Sequence, residues 1–273
     1  MRILDTHLHL VYPDRFTYAW IDDEPLLKGT WSVESYFAEA LPLGIESALH
    51  MEVDVLEKDM MAETEFVLGL PRIIGAIAAC RPENMNFVDQ IEQLSDHAHV
   101  KGVRRILHQV PDDLSTSDLF VENIRHLPDY DLSFDLCLRA DQLPLGVALA
   151  QKAPDVHFIV DHCGVPNVAA MELDPWRAYV KDLAKLPNVN AKISGVVAYA
   201  KPDWVVDDLR PFVEHVIESF GWDRVVWGSD HPVSTKTSSV TRWVAATHEI
   251  IKGASDGEKA KLLHKNAERI YRV

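Results

Sequence analysis

The sequence predicts a single (β/α)₈ barrel. Three observations carry this: eight short apolar, β-branched runs, amphipathic stretches in the gaps between them, and a length of 273 residues, close to the roughly 250 that one such barrel takes. Strands that alternate with helices are the pattern of parallel βα units. No Ser/Gly linker, repeat or low-complexity tract divides the chain, so residues 1–273 are expected to form one domain.

The predicted strands cover residues 3–10, 47–53, 73–79, 102–107, 133–138, 156–161, 189–194 and 225–228. Several are too continuously apolar to have a wet face, as expected where helices cover one side and the barrel interior the other. After the first strand, residues of about 11–31 carry aromatics and prolines without helical periodicity, which predicts a long loop covering part of the site. Ser32 then caps a helix with Val33, Tyr36, Phe37, Ala40 and Leu41 on one face and Gly44 just past its end. Phe87, Val88, Ile91 and Leu94 mark a second helix, and Asp141 opens a third with Leu145, Ala148 and Leu149. Trp176, Tyr179, Val180, Leu183 and Leu186 make a fourth stripe, 204–220 a fifth and 240–251 a sixth.

Hydrophobic residues at 47% and charged residues at 25% predict a folded protein with a large core. The 42 acidic residues against 27 basic ones give a formal charge of −15, a field that repels nucleic-acid backbones and anionic lipid surfaces. Neither is expected as a partner. A small-molecule substrate is, and the composition leaves an oligomer open. Arg2, Asp5 and His7 interrupt the start where a signal peptide needs an apolar stretch, and no later run reaches membrane-spanning length, so a cytoplasmic location is expected. Cys80, Cys137 and Cys163 are odd in number and lack CxxC spacing, which fits buried thiols in a reducing compartment.

The chemistry-bearing residues fall at predicted strand ends. In Asp5-Thr6-His7-Leu8-His9, strand alternation sends His7 and His9 to one face, a natural metal clamp near the C-terminal mouth of a barrel. Asp5 is expected on that face one step deeper, placed to orient an imidazole through its second nitrogen. Alone, such a pair of histidines is commonly just two satisfied inward side chains. Here His162 follows the sixth strand, with Gly164 behind it for a sharp turn, and Asp230 follows the eighth, where the last strand meets the first. Arg104 and Arg105 close the fourth strand, and alternation lets only one point inward to hold a substrate carboxylate or hydroxyl pair. Arg139 ends the fifth. His108, Gln109, Asp161, Lys192 and Ser194 stand near the rims, with His50 and Glu52 as alternates on the second strand. Tyr12, Trp20 and Trp31 could stack on a flat ring or pack the loop down.

Nearly end to end, these blocks resemble the amidohydrolase superfamily, in the amidohydrolase 2 branch with sugar-lactone and pyrone-dicarboxylate lactonases. The resemblance rests on Asp5-Thr6-His7-Leu8-His9, Gly102-Val103-Arg104-Arg105, residues 160–166, Trp176 with residues 188–195, and 220–221 through Gly228-Ser229-Asp230-His231-Pro232. It implies that His7, His9 and His162 surround a metal or a polarised carbonyl and that Asp230 activates water. Many members supply a lysine or histidine from the region 133–139, and this chain has neither before Arg139, so a bridged two-metal site is not expected. One zinc on His7, His9 and Asp230, with His162 completing the shell or bonding the carbonyl, is the expected cofactor, of modest affinity; metal dependence varies among such lactonases. His231 stands where related sequences commonly carry tryptophan, which implies a more polar pocket.

The function expected is hydrolysis of a small cyclic ester, a sugar-acid or dicarboxylate lactone. Asp230 serves as general base, a zinc held by His7 and His9 or those imidazoles in protonated form stabilise the oxyanion, His162 bonds the carbonyl or completes the metal shell, and Arg104, Arg139, His108 and Lys192 hold the substrate. The alternatives are a metal-dependent decarboxylase or amide hydrolase on the same barrel, and a barrel that binds a metabolite without turnover.

Overall fold

A computed structural model describes residues 1–273. Eight parallel strands form one sheet in the order β1 to β8: Ile3–Leu8, Ile45–Met51, Ile73–Ala79, Val100–Ile106, Ser133–Cys137, Phe158–Val160, Val189–Ile193 and Val225–Trp227. The circle closes between β8 and β1 through the Leu8–His231 bridge and the bond from His9 N–H to the His231 carbonyl, 2.8 Å. Each expected strand is present, and all but β3 end one or two residues earlier than expected. There the chain leaves the sheet to form the mouth.

Helices α1 (Val33–Ala40), α3 (Phe87–Ser95), α5 (Leu143–Lys152), α6 (Trp176–Ala184), α7 (Val206–Phe220) and α8 (Val240–Ile250) occupy the gaps their stripes predict. Ser32 caps α1 by accepting from Ser35 N–H, and Gly44 turns the chain with φ +86°. Three further pieces lie outside those stripes. These are α2 (Met60–Leu68), α4 (Asp118–Ile124), and the C-terminal α9 (Asp256–Ala260) and α10 (Asn266–Tyr271) joined by a π-helical turn. Helix α2 buries Glu63 and Thr64 beside Met60 and Val67, which blurs its apolar stripe. No helix is long and apolar enough to cross a membrane.

Two apolar layers hold the barrel. The outer one lies between strands and helices and includes Ile3, Leu8, Tyr36, Phe134 and Trp243; the inner one joins Leu4, Leu49, Met51, Ile77, Ile159 and Val226 to Ala267 and Tyr271 of α10. The last helix thus plugs one end and leaves the other to the polar residues.

One departure from strict alternation matters for the site. The β1–β2 register shifts between Asp5 and Leu8, and Leu8 packs in the outer layer with Ile3 rather than in the inner one with Leu4. A one-residue shift exchanges the faces. Asp5 therefore faces outward, away from the imidazoles it was expected to orient. Its carboxylate accepts from Tyr36 Oη–H and from the backbone N–H groups of His7 and Ser229.

Candidate active site

At the open end, His7 and His9 from β1, His162 after β6 and Asp230 after β8 converge. Ring centroids lie 4.9 Å apart for His7–His9 and 4.4 Å for His7–His162. Asp230 Oδ1 is 3.6 Å from His9 Nε2 and 3.9 Å from His7 Nε2, while Oδ2 is 3.9 Å from His162 Nδ1. The backbone is bent to achieve this: His162, Cys163, Val165 and Asp230 all have φ between +48° and +56°. Non-glycine residues adopt that region at a cost and mostly where surroundings enforce it.

Neighbouring groups set the ring nitrogens. His9 Nδ1 lies 3.0 Å from the Met51 carbonyl and 3.1 Å from that of Glu52, so it carries the proton and leaves Nε2 as an acceptor beside Asp230. His162 Nδ1 is 3.0 Å from Ser194 Oγ, which leaves its Nε2 for the cavity. His7 Nδ1 sits 3.3 Å from Asp161 and 3.1 Å from Lys192 Nζ. Burial, reinforced by the Lys192 charge, pushes the His7 pKa well down, and burial also lowers that of His162. In both, burial favours the neutral ring. For His7, burial thus works against the protonated form that stabilisation of an oxyanion by an imidazolium requires.

Beneath the rings runs a buried polar chain. Lys192 pairs with Asp135 at 2.5 Å and Asp161 at 2.9 Å, and Tyr271 of the plugging helix donates to Asp135 at 3.4 Å. Burial favours the neutral Asp161 carboxyl, but Lys192 and His7 overcome it and hold its pKa well below the usual range. Beside this chain, Arg104 binds Glu52 through Nε at 2.7 Å and reaches Asp161 at 3.5 Å. Arg104 is the inward member of its pair; Arg105 turns to Glu83 on the other face.

The site opens into a cavity of about 270 Å³. Of the expected substrate-binding residues, Arg104 and His108 line it, and so does the rim residue Gln109. Three expectations are corrected. Lys192 is fully buried under the imidazoles, spent on carboxylates, and does not face the cavity. Arg139 lies outside the lining, pairs with Asp141 at 3.1 Å and donates to the His108 carbonyl at 2.8 Å, so it braces a cavity residue from behind. His231 does not line the cavity either; it packs against Trp31 and Tyr36, so it adds no polarity there. Of the loop aromatics only Trp20 faces the space, while Tyr12 and Trp31 bond the loop to itself and to α1. Glu24, Asp54, Cys137, Tyr199 and Lys236 line it unforeseen. Cys137 ends β5 and the others sit in connections with no motif, and only the fold makes them neighbours.

Whether these residues suit a metal was tested on their donors. His7, His9 and Asp230 bring three ligand atoms within 4.8 Å of one another. Asp230 Oδ2 is buried without a hydrogen-bond partner, an expensive state that a cation or a polarised water relieves. Two imidazoles and a carboxylate are a donor set for catalytic zinc, so the residues fit one divalent ion. At the end of β5, Cys137 belongs to no such cluster and lies 3.2 Å from His108 Nδ1.

Comparison with known proteins adds the lineage. A family model described as Amidohydrolase matches residues 4–273. The chain is 28% identical to an L-fucono-1,5-lactonase of Burkholderia multivorans, covering 98% of this chain and 95% of that protein. It is 26% identical to a 4-sulfomuconolactone hydrolase of Rhizobium radiobacter, over 84% and 75% of the two chains. Among solved structures, an amidohydrolase from Burkholderia multivorans with bound zinc superposes with a TM-score of 0.90 at 20% identity, covering 100% of both chains.

Proposed function

The chain belongs to the amidohydrolase family, and from that premise we propose that it opens a small cyclic ester, a sugar-acid or dicarboxylate lactone, to the hydroxy acid. One observation carries the reading: Asp230 lines the cavity with a buried carboxylate oxygen that has no partner, beside three imidazoles. A carboxylate so placed takes the proton of a water poised over the lactone carbonyl as the new carbon–oxygen bond forms. His162, anchored by Ser194, bonds the carbonyl oxygen through Nε2 as charge grows there, and the Arg104 guanidinium contributes a positive field. The ester bond then breaks, and the proton held on Asp230 passes to the departing hydroxyl oxygen.

His7, His9 and Asp230 would hold one divalent ion, zinc by donor type. When bound it supplies Lewis acidity toward the carbonyl or the water. The similarity to proteins named as lactonases supports the choice of ester over amide or carboxyl group.

The test is a panel of aldonolactones and pyrone or muconate lactones, followed with a pH indicator, on the wild type and Asp230→Asn. The variant is expected to keep its fold and lose turnover by ~10² or more. Near wild-type turnover in Asp230→Asn would exclude the base. Carbon dioxide release from an aromatic acid, with no lactone opened, would favour the decarboxylase instead.

A further inference from the structure

We propose that Glu24 and Lys236, joined by an ion pair, form a specificity-determining subsite that reads the hydroxyl groups of the substrate away from the ester; this rests on the lactonase reading. Glu24 lies in the long loop after β1, between the short turns Ala19–Asp23 and Pro25–Leu27. Lys236 ends the turn Val233–Lys236 after β8, which is tied to the proposed base by the bond from Ser234 N–H to the Asp230 carbonyl, 2.8 Å. Nζ and Oε1 meet at 2.6 Å, and both residues line the cavity that Asp230 and His162 share.

The pair does little to hold the fold. Its side chains are 28% and 38% exposed, and water screens pairs of that kind to small net stabilisation. Its consequence lies in the charge it leaves toward the ligand. Two cations line the cavity, and both are committed, Arg104 to Glu52 at 2.7 Å and Lys236 to Glu24. Asp54 and Asp230 add carboxylates, and Asp54 is only loosely answered by Arg81 at 3.6 Å. A substrate carboxylate therefore meets no free cation and several like charges. A hydroxyl group fares differently, because it donates to a carboxylate and accepts from an ammonium without separating the two. Trp20, whose Nε1 donates to the Val53 carbonyl at 2.8 Å, is a fixed apolar wall on the same side.

The experiment compares a six-carbon aldono-1,5-lactone with δ-valerolactone, which has the same ring and ester but no hydroxyls, on the wild type, Glu24→Gln and Lys236→Met. Each variant is expected to lose at least about tenfold more kcat/KM on the aldonolactone than on δ-valerolactone, through KM, as befits a lost hydrogen bond to a charged group. Equal losses on both substrates would make the pair a loop fastener and overturn the proposal, and so would full retention on the aldonolactone. A wild type inert on every lactone would instead remove the lactonase reading on which the subsite depends.

Discussion

Gly195 lies against the His162 ring so closely that a methyl group on its α-carbon would stand 2.4 Å from Nδ1 and 2.9 Å from Asp230 Oδ2. Its φ of +63° is also one that a side chain disfavours. A glycine after β7 is thus the floor that lets the imidazole and the carboxylate approach each other. Gly195→Ala is expected to cut turnover at least about a hundredfold, because misplacing reacting groups by an ångström costs on that order. The strain at this one position should reach only ~1–3 kcal/mol. Steady-state rates beside urea denaturation check this; a rate loss no larger than the stability loss explains would refute the close-approach account.

Zinc binding should be visible without turnover. Titration of chelator-treated protein with zinc is expected to raise the melting temperature, since a ligand that binds only the folded chain stabilises it. His9→Asn, which removes the nitrogen presented to Asp230, should abolish most of that rise. A rise of equal size in wild type and variant would place any bound zinc elsewhere.

Arg104 and Glu52 form a buried ion pair, 3% and 2% exposed. Removing one partner strands the other charge, so Arg104→Met should destabilise by ~3–5 kcal/mol. The double variant Arg104→Met with Glu52→Leu should recover much of the loss. Chemical denaturation of the four forms measures the coupling, and strict additivity would contradict it.

Glu63 is buried in α2 with both carboxylate oxygens unpartnered. Burial, then the charge of Glu52, raises its pKa well above the ordinary 4.5. The unfolded chain ionises near that ordinary value while the folded chain keeps its proton. Wild-type stability is therefore unpenalised below it and declines as pH rises from there toward the folded value. Glu63→Gln does not titrate, so its melting temperature relative to wild type should climb between pH 5 and pH 8. A constant difference across that range would show that Glu63 ionises alike in both states.

Much of the site was legible before any coordinates. His7 and His9 two apart on a strand, His162 behind a turn-permitting Gly164, and Asp230 after the last strand each carry a local signature, and barrel order brings strand ends to one mouth. Asp5 was misplaced because period-two alternation has no marker for a register shift. Arg139 and Lys192 were misjudged for a different reason. A rim position says where a cation starts, whereas its role depends on which carboxylates reach it first.

The sequence by itself determined the βα alternation, the acidic balance and the set of imidazoles and carboxylate at the strand ends, because periodicity and residue chemistry are properties of neighbouring positions. Tertiary structure alone decided that Lys192 lies beneath the imidazoles, that Arg104 is spent on Glu52, and that Glu24 meets Lys236 212 residues away. Ion pairing and burial depend on distances through space, and those are fixed only when the barrel closes.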